Sequence, residues 1–130
     1  MKDSSCFTSC PCGTGKGYAA CCGPLHSGNA FAPTAEVLMR SRYSAYACNQ
    51  VGYLLATWHV RTRPATLFPH EPGTRWLGLQ IRAQTQQDAD HATVAFVALS
   101  KLHGRAHRLQ EISRFVREDG RWYYLDGDVT

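Results

Sequence analysis

The sequence lacks any apolar run long enough to cross a membrane. Its longest such stretch, about Val94 to Leu99, falls far short of the roughly 20 residues that a spanning helix needs. No apolar signal core follows Met1-Lys2-Asp3-Ser4-Ser5-Cys6, so the reading is a cytoplasmic protein without a membrane partner. Blocks of like charge are missing too. Lys and Arg number 14 against 10 Asp and Glu, for a net charge of +4, and 11 of the cations are Arg spread along the chain. That balance permits an acidic partner without demanding one. A nucleic-acid binder usually shows a denser basic stripe, so nucleic acid is not an expected partner. There is no Walker loop, dinucleotide fingerprint, Ser-His-Asp signature, internal repeat or low-complexity tract, and Gly13-Thr14-Gly15-Lys16 has the wrong spacing for a P-loop. The 130 residues, 44% hydrophobic and 18% charged with 11 Gly and 6 Pro, fit one domain with at most a small appendage. Such a chain buries a core of its own and needs no disulfide framework.

What the sequence does have is cysteine, in one place. Five of the six lie within the first 22 residues: Cys6, Cys10, Cys12, Cys21 and Cys22. A disulfide scaffold spreads its cysteines over the fold it staples, whereas a cluster in one short segment points to metal. The run Cys10-Pro11-Cys12, eight residues, then Cys21-Cys22 can place four sulfurs on a tetrahedron about 2.3 Å from one Zn²⁺. Gly13, Gly15 and Gly17 suit a tight turn whose backbone approaches thiolates, and Lys16 offsets part of the charge of four thiolates on zinc. Four sulfurs leave no open position, so one structural zinc is expected rather than a catalytic one. Cys6 and His26 are alternative ligands; Cys48 reads as a small buried hydrophobe.

The chain divides into residues 1–30, rich in Cys, Gly and Ser, and residues 31–130, which hold nearly all the aliphatic and aromatic content. Thr34 reads as the N-cap of a helix running to about Asn49, with Glu36 in its first turn. Ala35, Leu38, Met39, Tyr43 and Tyr46 form its apolar arc. Arg42 projects inside that arc. Arg40, Ser41 and Ser44 lie outside it, and Arg40 is expected to matter little for stability. A second helix spans Val51 to Trp58. After a Pro-broken loop the period changes to that of strands: Trp76 to Ala83, Ala92 to Ser100, Ala106 to Arg117, and Trp122 to Leu125, with Asp119-Gly120 as a two-residue turn. Helices followed by at least four antiparallel strands make an α+β domain, helices packed on one face of a curved sheet.

The cysteine segment resembles the SEC-C zinc motif of bacterial proteins through Cys10, Cys12, Gly15, Lys16, Tyr18, Cys21 and Cys22, with Thr14 where Ser is usual. Residues 31–130 resemble the YchJ-like family through Leu38-Met39-Arg40-Ser41-Arg42-Tyr43-Ser44-Ala45-Tyr46, Thr57-Trp58-His59, Trp76-Leu77-Gly78-Leu79, Glu111-Ile112-Ser113-Arg114-Phe115 and Gly120-Arg121-Trp122-Tyr123-Tyr124-Leu125-Asp126-Gly127. Several relatives carry a second, C-terminal SEC-C motif, and this sequence contains no second cysteine set of that kind. The resemblance implies a nuclear-transport-factor-2-like domain, a cone of helices over a strongly curved antiparallel sheet. That fold hosts isomerases, hydrolases and non-catalytic binding modules alike.

A two-residue turn at Asp119-Gly120 opposes Glu118 to Arg121, Phe115 to Tyr124 and Ser113 to Asp126. One face then holds Glu111, Ser113, Phe115, Trp122, Tyr124 and Asp126. Buried carboxylates need partners, and Arg42 is the natural counter-charge to Glu111 or Asp126. The candidate pocket residues are therefore Arg42, Tyr43, His59, Glu111 and Asp126, with His59 as a general base if it lines the same cavity. Two functions fit. In one, the zinc segment docks on a protein partner and the cone domain is an adaptor. In the other, the cone pocket binds a small molecule or acts as an isomerase or hydrolase. A homodimer is compatible with either.

Overall fold

The structure, a computed structural model, describes residues 9–67 and 73–129. Cys6, Pro69 and Pro72 of the sequence reading lie outside the described residues. A 3-10 turn, Tyr18–Ala20, and a short helix α1, Gly23–His26, precede α2, Ala35–Ala47, and α3, Val51–Ala56. Four strands follow: β1 (Arg75–Asp88), β2 (His91–Leu102), β3 (Arg105–Glu118) and β4 (Arg121–Val129). They form one antiparallel meander in the order β1-β2-β3-β4. This is an α+β architecture, with small helices packed on a four-stranded antiparallel sheet.

Local chemistry explains the boundaries. Thr34 caps α2, its Oγ1 accepting from the Val37 amide at 3.2 Å. The helix closes at Ala47, and Asn49 leaves it in the left-handed region with φ 59°. Helix α3 stops at Ala56, short of the expected Trp58, because residues 57–59 pair with the sheet instead. The Tyr124 amide donates to the Thr57 carbonyl, and the His59 amide to the Tyr124 carbonyl, both at 2.8 Å. The β3–β4 turn has φ 53° at Asp119 and 78° at Gly120, as a two-residue hairpin requires. His103 and Gly104, with φ 53° and 76°, make the same turn between β2 and β3.

The core lies between α2 and the inner face of the sheet. Ala35, Leu38, Met39 and Tyr43 meet Val94, Phe96 and Ala98 of β2, with Phe115 and Trp122 from the last hairpin. Two expectations need correcting. Ser41 and Ser44, placed outside the apolar arc, are both 0% exposed. Helix α2 is covered on its second side by the cysteine segment and α3, and each serine hydroxyl donates to a carbonyl one turn back.

The hairpin register also changes. Glu118 opposes Arg121 and Phe115 opposes Tyr124, as the turn dictates, but Ser113 faces Gly127 and Asp126 faces Arg114. A bulge at Leu125 inserts one residue, and the side-chain period of two then turns Asp126 to the outer face. There it meets Arg114, whose Nε lies 2.5 Å from Oδ1, while Arg114 also reaches Asp128 at 2.8 Å.

The cap makes a direct prediction. Thr34→Ala should lower the unfolding free energy by about 1 kcal/mol in urea titration, and Thr34→Asp should be nearly neutral. Equal stability of Thr34→Ala and the native chain would show that the cap bond does not carry the start of α2.

Candidate metal centre and cone cavity

Residues 9–22 fold into a knuckle. Ser9 bridges to Gly17, and the Cys10 amide donates to the Lys16 carbonyl at 2.9 Å, closing the loop that holds the first cysteine pair. Gly13 and Gly15 take φ 87° and 86°, where a side chain would be strained. Gly17 has φ −67°, so it is not required for its backbone freedom. The 3-10 turn then returns the chain to Cys21 and Cys22.

The sulfurs of Cys10, Cys12, Cys21 and Cys22 all lie within 4.8 Å of one another, with Cys12 to Cys21 at 3.5 Å and Cys21 to Cys22 at 4.0 Å. Four sulfurs on a tetrahedron around zinc would be separated by about 3.8 Å. Cys10, Cys12 and Cys22 are buried and Cys21 is half-buried. The Thr14 hydroxyl sits 3.2 Å from Cys21 Sγ and 3.7 Å from Cys12 Sγ, a polar contact to two sulfurs.

The electrostatics of Cys10, Cys12 and Cys22 also fit a cation. Hydrogen bonds from Cys10 and then Cys22 hold the Cys12 thiol far below the usual range. In return the Cys10 thiol is pushed up to about 11, chiefly by Cys12, and Cys22 is pushed up by Cys10 and Cys12. One thiolate is tolerated and suppresses its neighbours. A divalent cation at the centre would reverse that balance and favour the thiolate forms of these three.

His26 does not join the sulfurs. Its Nε2–H donates to the Ser41 carbonyl at 2.8 Å, which leaves Nδ1 to accept from the Tyr18 hydroxyl at 2.6 Å. Burial pushes its pKa down, and the neutral ring ties the knuckle to α2. Arg40 makes the second tie. Its Nη1 donates to the Cys12 carbonyl at 2.8 Å and its Nε to Glu36 at 2.9 Å. The expectation that Arg40 matters little is therefore overturned. Cys48 is half-buried against the cysteine cluster and disulfide-bonded, not an inert buried thiol.

On the other side of α2, a cavity of about 250 Å³ opens between the helices and the sheet. Arg42, Tyr43 and Glu111 line it, with Trp58, Trp76 and Tyr124 among its aromatic walls. Arg42 is 4% exposed, and its charge meets no carboxylate in an ion pair among the described residues. Its Nη1 donates to the Leu54 carbonyl and the Thr57 hydroxyl, both at 2.8 Å. Its Cζ lies 4.6 Å from the Tyr124 ring centre and 5.1 Å from that of Trp58. Cation–π attraction and two acceptors from the α3 end thus stand where a salt bridge was expected.

Glu111 accepts from Ser113 at 2.7 Å and from the Tyr124 hydroxyl at 3.3 Å. Burial pushes the Tyr43 hydroxyl up to about 12 and the Tyr124 hydroxyl higher still, so both stay protonated donors. The other two candidates lie elsewhere. Asp126 is on the outer face with Arg114. His59 accepts from the Arg61 amide on Nδ1 at 3.0 Å and donates from Nε2 to Glu118 at 2.8 Å, pinning residues 57–62 to the last hairpin. No free general base remains on it. Ser113 and Tyr124 lie on the face expected to carry Glu111, but neither they nor Trp58 were named as pocket residues, and Arg40 was expected to matter little. Only helix phase could have marked Arg40, which lies opposite Arg42.

Arg40→Met should release the bound metal to a chelator several-fold faster and cost about 1.5–3 kcal/mol in stability. The exposed Arg61→Met serves as the silent comparison. Metal release from Arg40→Met at the native rate would show that the Cys12 carbonyl bond does not brace the knuckle.

Comparison with known proteins agrees with this geometry. The family model described as YchJ, middle NTF2-like domain, matches residues 34–127, and the SEC-C motif matches residues 8–24. A UPF0225 protein of Bordetella pertussis is 55% identical over 98% of each chain. Another, of Ralstonia nicotianae, is 56% identical over 93% of this chain and 91% of the relative. The solution structure of a SEC-C motif containing protein from Rhodopseudomonas palustris is similar with TM-score 0.81 and 34% identity, covering 92% of this chain and 96% of that one. The crystal structure of a SEC-C motif containing protein from Psychrobacter arcticus also gives TM-score 0.81, with 30% identity over 100% of this chain and 86% of that one. The chain therefore belongs to the YchJ-like UPF0225 family, a SEC-C motif followed by an NTF2-like domain.

Proposed function

We propose that this chain is a metal-braced binding protein for a small molecule, with one structural zinc in the knuckle and the ligand in the cone cavity. The observation that carries the reading is the cavity itself. A plain helix–sheet seam is filled with side chains, whereas this one keeps about 250 Å³ open beside a fully desolvated guanidinium and a half-buried carboxylate. A buried charge without a paired charge is costly, and such arrangements concentrate at sites that meet a ligand.

Cys10, Cys12, Cys21 and Cys22 are the zinc ligands in this reading. A four-sulfur set leaves no position for water or substrate, so the metal's contribution is rigidity. A cytoplasmic location suits four thiols kept free for metal. Within the cavity, Arg42 orients an acceptor, Glu111 accepts a proton donor, and the aromatic walls exclude water. With His59 and Asp126 elsewhere, binding is better supported than acid–base catalysis.

A second reading, an adaptor that docks a protein through the knuckle, is favoured by one observation: residues 13–17 are exposed. The knuckle's buried side is already engaged with α2 through Arg40 and His26, which leaves that short turn as the docking surface.

Elemental analysis of the purified chain should find about one zinc per chain. A metal-free chain with reduced thiols and an ordered knuckle would contradict the assignment. Native mass spectrometry is expected to show, beyond the zinc-loaded chain, a mass removed by denaturation and matching a small organic molecule. A protein-sized adduct lost on reversing the charge at Lys16 would instead favour the adaptor.

A further inference from the structure

The cavity's chemistry is specific enough to name a ligand class. Arg42 lines it while 4% exposed, and both of its hydrogen bonds leave from Nη1. Among the described residues nothing accepts from Nε or Nη2. That edge of a guanidinium matches the two oxygens of a carboxylate. The Trp58 indole N–H, also in the lining, is buried and has no acceptor. The Arg42 side of the cavity is thus a cluster of unused donors around a positive charge.

The lining also offers an acceptor, joined to the Arg42 side through Tyr124, whose ring lies 4.6 Å from Arg42 Cζ. Glu111 Oε2 is held by Ser113 and Tyr124, and Oε1 has no partner among the described residues. Glu111 stands close enough to feel the charge of Arg42 yet forms no ion pair with it. Tyr43, Trp76 and Phe96 also line the cavity. At about 250 Å³ the cavity lies below the roughly 300–1,000 Å³ usual for drug-sized ligands, so the occupant is small.

We propose that the cavity binds a small organic carboxylate with a flat apolar body and a hydroxyl or amino group that reaches Glu111. The carboxylate takes the Nε/Nη2 edge of Arg42 and the Trp58 N–H. The hydroxyl or amino group bonds Glu111, and the body lies against the aromatic walls. This rests on the small-molecule reading of the cavity and narrows it to a charge class. Gly127 supports the placement of Glu111. A Cβ at Gly127 would collide with the Glu111 carboxylate, so Gly127→Ala displaces that group while keeping its charge in the chain.

The test titrates the full, metal-loaded chain with benzoate, 4-hydroxybenzoate and 4-hydroxybenzamide by calorimetry, following the Trp58 indole N–H by NMR. A set of unrelated neutral fragments is screened by the same NMR signal. 4-Hydroxybenzoate should bind at least about tenfold tighter than the amide and shift the Trp58 signal. Arg42→Lys should cost about tenfold for both carboxylates, since the fork is lost while the charge remains. Glu111→Gln and Gly127→Ala should bind benzoate no more weakly, because a negative charge near the bound anion is removed or moved away, and should reduce the preference for the hydroxylated compound several-fold. These two variants decide the matter should Arg42→Lys fail to fold. Equal affinity for amide and carboxylate, or carboxylate binding that leaves Trp58 unshifted, would overturn the anion class while the small-molecule reading stands. A Trp58 signal unmoved by every charged or neutral fragment would overturn both.

Discussion

Everything in this structure depends on α2 being buried from two sides. Its apolar arc meets the sheet, and its second face meets the cysteine knuckle, so even Ser41 and Ser44 are sealed from solvent. A helix of this length gains most of its stability from packing rather than from propensity. Here part of that packing comes from a segment with little apolar surface of its own, beside α3. The knuckle can offer a rigid face only if something holds its sulfurs together, which is what four converging thiols in one short loop are suited to do.

The same helix links the two sites. Residues two apart on an α-helix point about 200° apart, so Arg40 and Arg42 leave opposite sides of it. Arg40 holds the Cys12 carbonyl, and Arg42 enters the cone cavity. The aromatic rings and the α3 end then fix the guanidinium by its Nη1 side. A shift of α2 would move both contacts together, so the cysteine knuckle and the cavity are mechanically joined through one element.

Much of this was legible in the sequence because it is written in local chemistry. The spacing of Cys10, Cys12, Cys21 and Cys22 marks a metal set, Thr34 marks a cap, and Asp119-Gly120 marks a hairpin. Helix phase alone puts Arg42 inside. The parts that were not legible depend on tertiary choices. Asp126 changes face because of a bulge at Leu125, which no pattern in Trp122 to Asp126 announces. His59 leaves the cavity because residues 57–59 pair with Tyr124 instead of extending α3. Arg40, Ser41 and Ser44 look like a solvated face unless one knows that the knuckle folds back over them. The expected partner of Arg42 was wrong for a similar reason, since Leu54 and Thr57 come from a neighbouring helix end.

The central claim is that the knuckle braces α2 and, through it, the cavity. Hydrogen exchange measured amide by amide, before and after chelation of the metal, tests this most directly. The account predicts faster exchange in residues 9–26 and in the Arg40–Ser44 turn of α2, with the amides of β2 and β3 protected as before. Faster exchange confined to residues 9–26, with α2 unchanged, would contradict it.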